Sequence, residues 1–172
     1  MKLYFYFSCE SWRTASHPRH IMYGRYARVG FAFMDKEKLV MFGTKQGGVF
    51  ARTDDTDGTI DLLMPGLDKE TTEKIFRTCE ACAASKIAFN LQELLLMYAP
   101  FHMPEEIPLF ECRTLNNTQA FLLILRECLP KDHELLHALA NQNSRQTLAE
   151  TVYDALAPYA TPVFHCQLPN ID

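Results

Sequence analysis

Ala27-Arg28-Val29-Gly30-Phe31-Ala32-Phe33-Met34, then Asp35-Lys36-Glu37, then Lys38-Leu39-Val40-Met41-Phe42-Gly43 is the stretch on which the fold turns. Two runs rich in β-branched and aromatic residues, joined by a connection of hairpin length, read as paired antiparallel strands rather than as helix. Working outward, Lys2 to Ser8 (KLYFYFS), Gly48 to Arg52 (GVFAR) and Thr59 to Met64 (TIDLLM) are short runs of the same kind. Lys45-Gln46-Gly47 supplies a glycine turn before the fourth run, and the strands together describe an antiparallel meander. Glu10 to Tyr26 carries Pro18, Gly24 and no clear periodicity, so it reads as a long loop, a kind of segment that commonly carries function.

After Pro65-Gly66 the pattern changes period. Asp68 is placed to cap a helix over Lys69 to Ala84, with Ile75, Phe76, Cys79, Cys82 and Ala83 on one stripe. Asn90 caps a second helix, Leu91 to Tyr98, which Pro100 stops. A third helix is expected from Cys112 or Arg113 to Leu129, followed by helices over Asp132 to Ala140 and Thr147 to Leu156. Strands first and helices later imply an α+β fold, with helices packed on an antiparallel sheet. The chain reads as one domain over residues 1–172: 1–64 mainly β, 68–158 mainly helical, and 159–172 a C-terminal tail.

The 17 basic and 21 acidic side chains leave a formal charge of −4, which argues against a general nucleic-acid partner because phosphate binding depends on displacing counterions with cations. The aromatic N-terminal run is shorter than the roughly 7–15 residue apolar core of a signal peptide. No apolar window approaches the roughly 18 residues needed to span a bilayer, and no transmembrane segment is expected. The six cysteines, Cys9, Cys79, Cys82, Cys112, Cys128 and Cys166, are irregularly spread. A chain of this length can bury a core without staples, so reduced thiols in an intracellular compartment are expected.

Three constellations carry possible chemistry. His133-Glu134-Leu135-Leu136-His137 is a literal H-E-x-x-H, which on a helix sets two imidazoles on one face for zinc and a glutamate to polarise water. It follows Pro130, Lys131 and Asp132, and its third ligand would have to be Glu150 or His165; the competing reading buries Leu135, Leu136 and Leu139 and leaves the histidines at the rim. Cys79-Glu80-Ala81-Cys82 sets two thiols one helical turn apart, but no second CxxC completes a zinc site, so buried structural thiols are the expectation. Cys112 follows a proline-bounded segment and is expected to open the third helix, where backbone N–H groups and the macrodipole favour a thiolate nucleophile. The competing reading is a core cysteine.

The order of strand, loop, a strand containing Val29-Gly30-Phe31-Ala32, further strands, helices, and a late helix opened by Cys112 and containing Phe121 to Leu125 resembles the circularly permuted NlpC/P60 (papain-like) fold. That superfamily includes the lecithin:retinol acyltransferase-like proteins and certain poxvirus proteins. The resemblance covers roughly residues 1–130 and implies a thiol hydrolase or acyltransferase with Cys112 as nucleophile and no cofactor. The family's histidine position, immediately before Val29, is Arg28, which cannot accept a proton at neutral pH. His17 or His20 from the upstream loop would then serve as base; Gln46, Arg52 and Asp54 lie where a third polar group is sought. The alternative is a catalytically inactive pseudo-enzyme that binds a protein partner instead of an acyl or amide substrate, with Trp12, Tyr23 and Tyr26 as candidate anchors. The viral relatives imply a viral protein working in host cytoplasm or in the virion. A zinc protein using His133 and His137 is a second alternative.

Overall fold

The structure, a computed structural model, describes residues 1–9, 26, 28–36, 38–44, 50–53, 59–85, 88–89, 109 and 114–163. Its strands are β1 (Lys2–Cys9), β2 (Arg28–Asp35), β3 (Lys38–Thr44), β4 (Phe50–Thr53), β5 (Thr59–Met64), β6 (Ala88–Phe89), β7 (Thr114–Leu115) and β8 (Thr161–Val163). The helices are α1 (Lys69–Ala84), α2 (Asn117–Cys128), α3 (Glu134–Ala138) and α4 (Ala149–Leu156). Strands precede the helices except for the short β6, β7 and β8, and the fold is α+β.

The expected hairpin forms: Asp35 pairs with Lys38, and Lys36 between them takes a φ of 55°. A left-handed residue at that position matches the turn to the right-handed twist of the strands. The meander is only partly realised. The six-stranded sheet has the order β4-β3-β2-β1-β5-β8, every neighbour antiparallel, so β5 passes to the far side of β1 instead of lining up beside β4. The C-terminal tail expected over 159–172 supplies β8, which pairs Thr161, Pro162 and Val163 with Met64, Leu63 and Leu62. Its proline lacks a backbone donor and sits on an edge, the position where a sheet tolerates it.

Alternation along the central β1 sorts the core. Leu3, Phe5 and Phe7 face one side with Val29, Phe31, Phe33, Phe42 and Leu63, all within the large cluster that the helices cover. Phe121 of α2 stacks on Phe31 at 4.7 Å between ring centroids and meets Phe5 edge-on at 5.1 Å. Phe76 of α1 meets Phe33 edge-on at 5.0 Å and Phe42 at 5.7 Å, which sets α1 in the same layer as α2, over β2 and β3. Removing the Phe121 ring would cost about 3–5 kcal/mol, through lost transfer energy and the cavity left behind.

The other face holds a smaller cluster around Tyr4, Tyr6, Ala32, Met34, Met41, Ile60 and Leu62. Here Tyr6 lies across two glycines. Tyr6 registers with Gly30 on β2, and a methyl group at Gly30 would collide with the Tyr6 ring and the Phe42 carbonyl. A methyl at Gly43 would collide with the Tyr6 hydroxyl. Gly30 is therefore required by a ring that crosses its strand, a physical reason independent of any family pattern.

These contacts give unequal expectations for rescue. Gly43→Ala is expected to lower stability by about 1–3 kcal/mol through overpacking, and Tyr6→Phe in the same chain to restore a large part of it. Gly30→Ala meets backbone as well as ring, and Tyr6→Phe should leave its loss intact. Urea midpoints of the two single glycine variants and their double mutants check both statements; equal rescue at the two sites would contradict the contact geometry.

Candidate functional site

The region the sequence nominates is the N-terminus of the helix that packs on β2. That helix, α2, begins at Asn117, capped by Asn116, and Thr114–Leu115 before it form β7, paired in parallel with β6. The expectation of a helix beginning at Cys112 or Arg113 is corrected accordingly. The signal overlooked was Asn116-Asn117-Thr118-Gln119 ahead of an apolar run, the sequence form of a capping box. Cys112, His17 and His20 lie outside the described residues, as do Trp12, Tyr23, Gln46 and Asp54.

The polar groups at this helix end are engaged by one another and by the sheet. Asn116 Oδ1 accepts the Gln119 N–H at 2.7 Å, and Gln119 Oε1 accepts the Asn116 N–H at 3.3 Å. Asn116 Nδ2 donates to the Arg145 carbonyl at 3.3 Å, tying the cap to the loop between α3 and α4. The Asn117 carboxamide, oriented to satisfy both groups, donates to the Val29 carbonyl at 2.6 Å and accepts the Val29 N–H at 3.3 Å. The β2–β3 pairs start at Phe31 with Phe42, so Asn117 fills the place of a strand residue beside Val29.

Arg28 stands next to this junction in sequence. Strand alternation sets it on the face of Gly30 and Ala32, opposite Val29 and Phe31, which α2 covers. Arg52 pairs with Glu80 of α1 and stacks over the Phe42 ring at 5.6 Å, a contact between sheet edge and helix. Tyr26, a candidate exposed anchor, is instead 1% exposed: its hydroxyl donates to Asp61, and its ring packs against Tyr153 at 4.9 Å and Phe7 at 5.5 Å.

The thiols of α1 are structural, as expected for CxxC on a buried stripe. Cys79 and Cys82 are buried, and Cys128 of α2, also buried, donates to the Thr78 hydroxyl at 3.3 Å. Burial pushes the Cys79 thiol well above its ordinary range, with the neighbouring Cys82 and Cys128 adding to the effect. Burial also raises Cys128, partly opposed by the Thr78 hydrogen bond and by Lys74. Such thiols stay protonated and unreactive.

The H-E-x-x-H segment does not form one helical face. His133 precedes α3 as its N-cap, and its Nδ1 accepts the Leu135 N–H at 3.2 Å. Leu135 and Leu139 are buried and His137 is exposed. Among the described residues no group of three or more His, Cys, Asp and Glu side chains is placed to hold a metal ion. Among them, too, no helix is long and apolar enough to cross a membrane.

Two measurements follow from this geometry. Asn117→Ala strips the Val29 N–H and carbonyl of their partner, and a loss of about 1–3 kcal/mol in urea unfolding is expected. Asn117→Asp keeps only an acceptor and sets a carboxylate against the Val29 carbonyl, so it should be at least as destabilising. For Cys79, the neutral form is favoured in the folded state, whereas the unfolded thiol ionises above about pH 8.5. Stability is therefore full below that pH and falls as pH rises beyond it, because the unfolded chain then binds fewer protons. Urea midpoints at pH 8 and pH 10 should show the fall, and Cys79→Ala should make it shallower.

Comparison with protein-family models, curated proteins and solved structures gives no match to this chain.

Proposed function

We propose that this chain is a non-catalytic protein of permuted papain-like arrangement that works by binding a protein partner. The observation that carries the reading is what opens α2. A thiol enzyme of that arrangement needs its nucleophile at the head of the helix packed on β2, and here Asn116 caps that helix with Gln119 while Asn117 hydrogen-bonds to Val29. Position 28, where the base would stand, holds an arginine on the opposite face of the sheet. The −4 balance favours a protein surface over a phosphate backbone as partner.

The opposing reading is a thiol hydrolase or acyltransferase in which Cys112 attacks an amide, thioester or ester and His17 or His20 removes its proton. Alkylation of the folded protein across pH, followed at each cysteine by peptide mass spectrometry, separates the two. The binding reading expects Cys112 to react with the pH dependence of an ordinary thiol, half-maximal near pH ~8.5. Rapid alkylation of Cys112 below pH ~7, abolished by His17→Ala or His20→Ala, would overturn it in favour of the enzyme.

A further inference from the structure

We propose that His133 is a pH-sensitive cap, whose protonation removes the side-chain acceptor of the Leu135 N–H and so loosens the N-terminal turn of α3. The geometry of the neutral state is explicit. His133 sits at the N-cap with φ −69° and ψ 135°, and its Nδ1 accepts the Leu135 N–H at 3.2 Å. Its carbonyl accepts the Leu136 and His137 N–H groups at 2.9 and 3.1 Å, and its own N–H donates to the Pro130 carbonyl at 3.0 Å. One residue thus starts the helix with both backbone and side chain.

An imidazole nitrogen accepts a hydrogen bond only while it carries no proton; in the imidazolium both nitrogens are donors. The usual caps, Ser, Thr, Asp and Asn, keep an acceptor oxygen from pH 5 to 8, whereas a histidine cap loses its acceptor within that range of titration. Protonation turns the Leu135 contact from donor facing acceptor into two donors facing each other.

Charged groups surround the imidazole: among the described residues, Lys131, Asp132 and Glu134 flank His133 in its own segment, and from another element the charge of Asp68, the N-cap of α1, is weakly coupled to it, behind the hydrogen bonds from Thr71, whose N–H donates to Asp68 Oδ1 at 2.7 Å. Leu135 and Leu139 stay anchored in the core, which confines the change to the first turn of α3.

The test is amide hydrogen exchange at Leu135 on the intact protein at pH 8 and pH 5, expressed as protection factors, with the histidine tautomer read by nitrogen-15 NMR. His133 Nδ1 should be the unprotonated nitrogen at pH 8, and Leu135 protection should drop about fivefold to tenfold at pH 5, the equivalent of losing one N-cap. His133→Asn keeps a cap that does not titrate and should abolish the drop, while His137→Asn should leave it unchanged. A protonated Nδ1 at pH 8, pH-independent protection in the unaltered chain, or a drop that persists in His133→Asn would overturn the proposal.

Discussion

A helix sunk in the core has little water to turn to, and α2 is such a helix over most of its length: every residue from Thr118 to Leu125 is buried, while Glu127 near its end is exposed. Its burial supplies much of the apolar area in the core, yet it also removes solvent from the backbone N–H and carbonyl groups that each helix end leaves unmade. An unmet buried amide costs about as much as a good side-chain contact contributes. The surroundings of α2 are arranged to meet that demand. At its start stand the Asn116 and Gln119 box and the Asn117 bond to Val29; at its end, Lys74 of α1 donates to the Glu127 and Cys128 carbonyls at 2.9 and 3.2 Å. Between them, Arg126 reaches out to the Gln142 carbonyl at 2.8 Å.

This requirement explains why polar residues cluster at the place where chemistry was sought. Amides that would suit an oxyanion site are also what an enclosed helix end needs, and here their partners are backbone groups of β2, the helix itself and the loop before α4. A positive helix end next to a strand is thus ambiguous until its hydrogen bonds are counted. The same distinction applies to Arg52, committed to Glu80, and to Tyr26, committed to Asp61.

The class of the fold was legible because it rests on local pattern: KLYFYFS and RVGFAFM are short, nearly continuous aromatic and apolar runs, as strands buried on both faces are, and the stripe of α1 repeats as a helix does. The sheet order was not, since pairing β5 with β1 rather than β4 is decided by packing between segments far apart in sequence. Strand β8 was missed because Thr161-Pro162-Val163 is too short and too proline-like to register as a strand by itself. The start of α2 was missed for a different reason: the prolines before it drew attention to Cys112, while the weaker pattern of Asn116 and Gln119 marked the actual cap. Of the proposed catalytic trio, Cys112, His17 and His20, the described residues contain none, so its chemistry rests on the sequence alone.

The placement of β8 also bears on how the chain is made. Ribosomes deliver the central strand β1 first, yet the edge of β5 receives its antiparallel neighbour only when Thr161–Val163 emerges. At about 5–20 residues per second, the roughly one hundred intervening residues take on the order of 5–20 seconds to synthesise. Throughout that interval β5 is itself the border of the nascent sheet, a template on which a neighbouring polypeptide can pair, until β8 replaces it with a three-residue edge that carries a proline. The molecule is thus most exposed to misassociation during translation, before its last strand arrives.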